Sequence, residues 1–121
     1  LSDKPILLVA EDTLPNYKLI EAMLRKEYEL VHAKNGLEAV TLFEEKHPAL
    51  VLMDIKMPEM DGIEALKVIL DLSPDFPVIA VTAYAFEENI REIVNNGFND
   101  YLIKPIRCST LKEKLDAILH N

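Results

Sequence analysis

Tryptophan is absent, cysteine occurs once, and there are only three glycines in 121 residues. The lone Cys108 excludes an internal disulfide framework and suits a reducing compartment. It is expected at a helix start, small and partly buried. So few glycines leave no Gly-rich phosphate loop. No apolar run approaches the ~18–20 residues that cross a bilayer. No basic-then-apolar leader is visible, so the expectation is a cytoplasmic segment that makes no membrane contact of its own. Basic residues are also scarce, 13 Lys+Arg against 21 Asp+Glu, for a net charge of −8. That disfavours direct nucleic-acid binding, which needs clustered positive charge. The acidic excess alone is no sign of metal, because acidic surfaces usually serve solubility. His32, His47 and His120 have no ligand spacing, and no Ser-His-Asp arrangement is present.

What is there suits one soluble domain spanning residues 1–121, with 50% hydrophobic and 28% charged residues. Apolar runs alternate with helical patterns throughout. The runs cover 6–10, 29–33, 49–53, 78–81 and 100–103. Four of the five lack polar alternation, as strands buried on both faces do. Between them, Asn35 with Glu38 and Asp61 with Glu64 read as capping boxes. Pro15 suits a first helical turn. Tyr17, Ile20 and Leu24 share a helical face, as do Leu111, Leu115, Ile118 and Leu119. Glu87 and Glu88 favour a helix N-terminus, and Asn96-Gly97 a helix end. Five β-α units with right-handed crossovers predict an α/β fold, a doubly wound five-stranded parallel sheet. The second run is the most polar and suits an edge. The order 2-1-3-4-5 then sets strands 1 and 3 side by side at the switch point.

Four segments follow directly on apolar runs: Glu11-Asp12, Asp54, Thr82-Ala83 and Lys104-Pro105. In such a sheet they share the edge where ligands bind. Glu11, Asp12 and Asp54 would crowd like charges there unless a cation offsets them, and Mg²⁺ suits an all-oxygen site. The plainer reading of Glu11-Asp12 is helix-capping acids before Pro15. Asp54 can act as a nucleophile towards phosphorus, forming an acyl phosphate. An isolated aspartate in that place would simply cap the next turn. Met57-Pro58 and Asp61-Gly62 shape a tight loop into the next helix. Thr82 can donate to a phosphoryl oxygen, with Ala83 leaving room; equally, it is a β-branched residue in a strand. Lys104 is an ammonium aimed at the acids, a phosphate clamp. The alternative is a surface lysine, and Lys104-Pro105 is a step where a cis bond can occur. Tyr101 either swings between packed and exposed rotamers or sits half-buried.

Taken in order and at these spacings, the residues resemble the receiver domain of two-component response regulators, the chemotaxis-regulator-like, flavodoxin-like fold. The resemblance covers about Pro5 to Leu119. It rests on Glu11-Asp12, on Asp54 within Met53-Asp54-Ile55-Lys56-Met57-Pro58, and on Asp61-Gly62, Thr82-Ala83, Tyr101 and Lys104-Pro105. It implies that Asp54 accepts a phosphoryl group from a phosphohistidine on a sensor histidine kinase or histidine phosphotransfer domain. It implies Mg²⁺ held by the side chains of Asp12 and Asp54 and the backbone carbonyl of Lys56, with Glu11 acting through a metal-bound water. Lys104 would contact the phosphate, Thr82 would close on it, and Tyr101 would turn inward. The domain would catalyse its own phosphorylation and dephosphorylation and turn over no separate substrate.

Glu11 stands where many members carry Asp; many receivers of hybrid sensor kinases carry Glu. Asn16 after Pro15 resembles the same subgroup. With the start at Leu1, a receiver from a hybrid histidine kinase is favoured over a free-standing regulator. The expected output is a protein contact, including a homodimer, through the fourth helix, fifth strand and fifth helix. Lys56 and Tyr84 are expected to overhang the pocket mouth and slow phosphate loss. Three competitors stand beside this reading. An aspartyl phosphatase usually carries a second acid two residues after the nucleophile, and Lys56 occupies that place. A flavodoxin-type cofactor binder needs a neutral phosphate loop where Glu11-Asp12 stand. A degenerate receiver used only for docking would lack some of the acidic, hydroxyl and lysine positions.

Overall fold

In the computed structural model, which describes residues 4–84 and 86–120, strands and helices alternate along the chain. They are β1 (Ile6–Ala10), α1 (Leu14–Leu24), β2 (Glu29–Ala33), α2 (Gly36–Lys46) and β3 (Leu50–Asp54). Then come α3 (Gly62–Leu72), β4 (Val78–Thr82), α4 (Glu87–Asn96), β5 (Asp100–Ile103) and α5 (Cys108–Leu119). The five strands form one parallel sheet in the order β2-β1-β3-β4-β5. The polar pattern placed β2 at an edge, and there it lies, mostly half-exposed, while β3 and β4 are buried throughout.

Successive side chains go to opposite faces of each strand, so β1 feeds two cores. Leu7 and Val9 pack with Tyr17, Ile20 and Leu24 of α1 and Leu111 and Leu115 of α5. Leu8 and Ala10 pack with Ala39 of α2, Leu66 and Ile69 of α3 and Ile93 of α4. Each helix thus buries one apolar stripe, and the sheet is covered on both faces.

Asp54 ends the third strand, as expected, and pairs in register with Val81. Two local expectations are corrected. The Asn35 box is half formed: Asn35 Oδ1 accepts from Glu38 N–H at 2.8 Å, but Glu38 Oε1 accepts from Lys34 N–H at 2.9 Å. The Asp61–Glu64 box is complete. Cys108 opens α5 as expected but is exposed rather than partly buried: it shares the helical face of Leu111 and Leu115, yet the buried part of that face begins one turn later. Gly97 ends α4 at φ 107°, a left-handed conformation that glycine adopts without Cβ strain.

Candidate functional site

The parallel sheet brings the carboxyl ends of β1, β3, β4 and β5 to one edge, and the chemistry follows from what stands there. Glu11 continues β1 by one ladder bond, its N–H donating to the Ala33 carbonyl at 2.9 Å. Asp54 is the last residue of β3 and Thr82 the last of β4. Lys104 extends β5, its N–H donating to the Thr82 carbonyl at 2.8 Å. Glu11, Asp54 and Thr82 are buried although polar; Asp12 is exposed. Lys104 Nζ lies 2.8 Å from Asp54 Oδ2 and 3.2 Å from Glu11 Oε1. Asp54 Oδ1 accepts the Lys56 N–H at 3.2 Å. Glu11 Oε2 accepts from Thr13, the backbone N–H at 3.1 Å and the hydroxyl at 3.3 Å. Thr82 Oγ1 accepts the Tyr84 N–H at 3.1 Å, which leaves the hydroxyl hydrogen free to donate elsewhere.

The loop after Asp54 is braced rather than reactive. Gly62 N–H donates to the Ile55 carbonyl at 2.9 Å, and Gly36 N–H to the Met60 carbonyl at 2.9 Å. A Cβ at Gly62 would stand 2.3 Å from the Asp54 carbonyl oxygen, so only glycine lets α3 begin that close to β3. A cleft of about 190 Å³ is lined by Asp12, Asp54, Lys56, Thr82, Tyr84 and Lys104, among others. Across it, Lys56 Nζ sits 4.9 Å from the centre of the Tyr84 ring. Tyr101 is half-buried in β5, with Lys114 Nζ 4.8 Å from its ring centre.

Charge in the cleft is unbalanced. Burial pushes the Asp54 carboxyl above its ordinary value of 3.8; the Glu11 charge adds to this, while Lys104 opposes it. Asp12 is also raised, by partial burial and by its contact with Glu11. Burial acts on Glu11 too, yet Thr13, Asp12 and Lys104 together hold it below 4.5. Lys104 loses some hydration, but Asp54 and Glu11 keep its ammonium above 10.5. Ligand oxygens of Glu11, Asp12 and Asp54 all lie within 4.8 Å of one another. Three carboxylates against one contacting ammonium leave two negative charges on an all-oxygen donor set, which fits a hard divalent cation.

A family model for the response regulator receiver domain matches residues 7–116. The chain belongs to this family. The receiver is 40% identical over 116 residues to the transcriptional regulatory protein ZraR of Klebsiella oxytoca. That match covers 94% of this chain and 26% of ZraR, so the receiver spans about a quarter of that relative. Among solved structures it is similar to the receiver domain of sensor histidine kinase PA1611 from Pseudomonas aeruginosa. There the TM-score is 0.90 at 31% identity, over 98% of this chain and 99% of that one. The PA1611 structure has a magnesium ion coordinated in its active site cleft. The receiver domain of Ssk1 from Saccharomyces cerevisiae, crystallised with the histidine phosphotransfer protein Ypd1, gives a TM-score of 0.88 at 31% identity. That alignment covers 95% of this chain and 88% of the other.

Of the site residues expected from the sequence, Asp12, Asp54, Lys56, Thr82 and Lys104 line the cleft, Glu11 is buried against Lys104 beside it, and Tyr101 stands apart on β5. Sequence reasoning missed Thr13, which holds Glu11, and His32, set aside because it has no metal spacing. His32 is no ligand but touches the turn that carries the acids, its Nε2 2.7 Å from the Glu11 carbonyl oxygen. The one available signal was its place near the end of the polar edge strand. Among the described residues, no helix is long and apolar enough to cross a membrane.

Proposed function

We propose that residues 1–121 act as a single phospho-acceptor switch in which Asp54 takes up phosphorus. The observation that carries this is the buried Asp54 carboxylate held 2.8 Å from Lys104 and grouped with Glu11 and Asp12. One Asp54 oxygen attacks the phosphorus of a phosphohistidine. The P–N bond breaks, the imidazole leaves, and an acyl phosphate remains on Asp54. Lys104 turns its ammonium from the carboxylate to the incoming phosphoryl oxygens, and Thr82 donates its hydroxyl hydrogen to another. Asp12 and Asp54 would hold Mg²⁺ by their side chains, Lys56 by its backbone carbonyl and Glu11 through water. Bound there, the ion would supply positive charge against the anionic phosphoryl group. The domain modifies itself and turns over no separate substrate.

The donor is a protein carrying phosphohistidine, a sensor histidine kinase or a histidine phosphotransfer domain. The Ssk1–Ypd1 complex supports this class. A groove of about 340 Å³ beside the cleft offers it a seat, lined by Leu19, Ile20 and Met23 of α1 and by Ile106, and bordered by Lys104. Leu19 there is more than half exposed. The output surface is the α4–β5–α5 face, which exposes Val94 and Ile103 to a protein partner or a second copy. Thr82 pairs with Ile103 and Ala80 with Tyr101, so a shift of Thr82 towards phosphate is passed to β5.

The test is intact mass after incubation with Mg²⁺ and acetyl phosphate. The wild type gains one phosphoryl mass and Asp54→Ala gains none. Labelling that persists in Asp54→Ala, or no labelling of either protein, overturns the assignment.

A further inference from the structure

His32 lies on the edge strand β2, in register with Val9 of β1. Its ring nitrogen Nε2 is 2.7 Å from the backbone carbonyl oxygen of Glu11. A carbonyl can only accept, so Nε2 carries the proton and donates. The Tyr17 ring of α1 lies nearly parallel to the imidazole, with centres 4.1 Å apart and 11° between the planes. Tyr17 is itself buried in the α1 core, so this stack holds the imidazole against a fixed surface.

The bond sits where β1 hands over to the turn bearing both acids. The Glu11 N–H is still within the ladder, paired to Ala33. Its carbonyl has left the ladder and finds His32 instead. That carbonyl and the Asp12 nitrogen belong to one peptide plane, so fixing its direction fixes the backbone from which Asp12 projects. Asp12 is exposed and, among the described residues, forms no ion pair that would hold its side chain. Its placement therefore comes from the backbone.

Resting on the reading of Glu11, Asp12 and Asp54 as a cation site, we propose that His32, backed by Tyr17, is a positioning residue. Its Nε2–H sets the Glu11–Asp12 peptide so that Asp12 faces Asp54 before any ion arrives. The Tyr17–His32 stack makes α1, the edge strand and the acidic turn one unit. Preorganisation of this kind lowers the cost of binding and leaves the chemistry itself untouched.

The experiment compares wild type, His32→Phe and His32→Gln. Phenylalanine keeps a ring against Tyr17 and removes the donor; glutamine restores an N–H at similar reach. Mg²⁺ affinity is read by calorimetry, and the Mg²⁺ dependence of labelling by acetyl phosphate is read alongside it. His32→Phe should weaken Mg²⁺ binding about three- to ten-fold, the worth of one neutral hydrogen bond. The defect should appear in the half-saturating Mg²⁺ concentration and not in the rate at saturation, and His32→Gln should recover most of it. Nitrogen-15 NMR of metal-free wild type supplies a measurement independent of any variant, because it reports the tautomer. An imidazole protonated on Nε2 is expected. Protonation on Nδ1 alone, or equal Mg²⁺ affinity in wild type and His32→Phe, overturns the role. If wild type binds no Mg²⁺, the cation site itself fails and the positioning role falls with it. Loss of Asp54 labelling with Mg²⁺ binding intact would instead strike the acceptor reading alone.

Discussion

Lys56 stands two residues beyond Asp54 and Tyr84 two beyond Thr82, and the fold brings the two side chains together at 4.9 Å. Both line the cleft. A cation over a ring face is mutually attractive, so the pair acts as a partial cover. Water that hydrolyses the proposed acyl phosphate would have to pass it. Replacing both residues by alanine is expected to speed phosphate loss several-fold, read as the decay of the phosphorylated mass after the phosphodonor is removed. An unchanged half-life would remove this role. At this scale the sequence was largely legible. Asp54, Thr82 and Lys104 each end or extend a strand in plain view, because a buried parallel strand is written as an apolar run and its end is where the run stops. Thr13 on Glu11 and His32 on the Glu11 carbonyl were not legible. Such bonds depend on where a turn lies in space, and nothing in local spacing encodes that.

Elements carry two further consequences. Helix α2 ends at His47, which sits in the left-handed region at φ 50° and ψ 59°. A side chain there is strained by about 1 kcal/mol relative to glycine. His47→Gly should therefore raise the unfolding free energy by roughly 0.5–1 kcal/mol, less what glycine adds to unfolded-chain entropy. Denaturant melts would check it, and a loss of stability would mean that His47 makes a contact worth more than its strain. Helix α1 carries the second consequence. Leu19 is 61% exposed at the groove beside Lys104. Leu19→Glu should slow phosphoryl transfer from a phosphohistidine-bearing protein at least several-fold, and leave labelling by acetyl phosphate as it was. Equal slowing with both donors would place the effect in the cleft and not in docking. The amphipathic stripe of α1 announced Tyr17, Ile20 and Leu24 as core. It said nothing of the apolar groove on the other side of Leu19, because that groove needs Ile106 from the far end of the chain.

For the whole molecule, the excess acid in the cleft links metal, pH and stability. Carboxyls whose folded pKa lies above the unfolded one favour folding only when protonated, and Asp12 and Asp54 are of this kind. At neutral pH, without metal, their charges therefore cost stability. Glu11 runs the other way: held below 4.5, it adds stability that is lost as pH falls through its folded value. Mg²⁺ binding the folded state should raise the unfolding free energy by about 2.7 kcal/mol at a hundred times Kd. The increment should shrink as pH drops and begin to do so above 3.8, because protons compete for the raised carboxyls. Asp12→Asn should melt higher than wild type without metal and lose most of the Mg²⁺ increment. Calorimetric melts check both; a lower metal-free midpoint with the increment intact would contradict the charge balance. By itself, the sequence determined the five β-α units, the edge place of β2 and the residues at each strand end, because burial on two faces and helix capping are local patterns. Only the tertiary structure decided which atoms meet: Lys104 between Asp54 and Glu11, Lys56 over Tyr84, His32 beneath the acidic turn. The register between strands and the direction of each side chain at the sheet edge arise from packing of the complete molecule, and short-range sequence does not fix them.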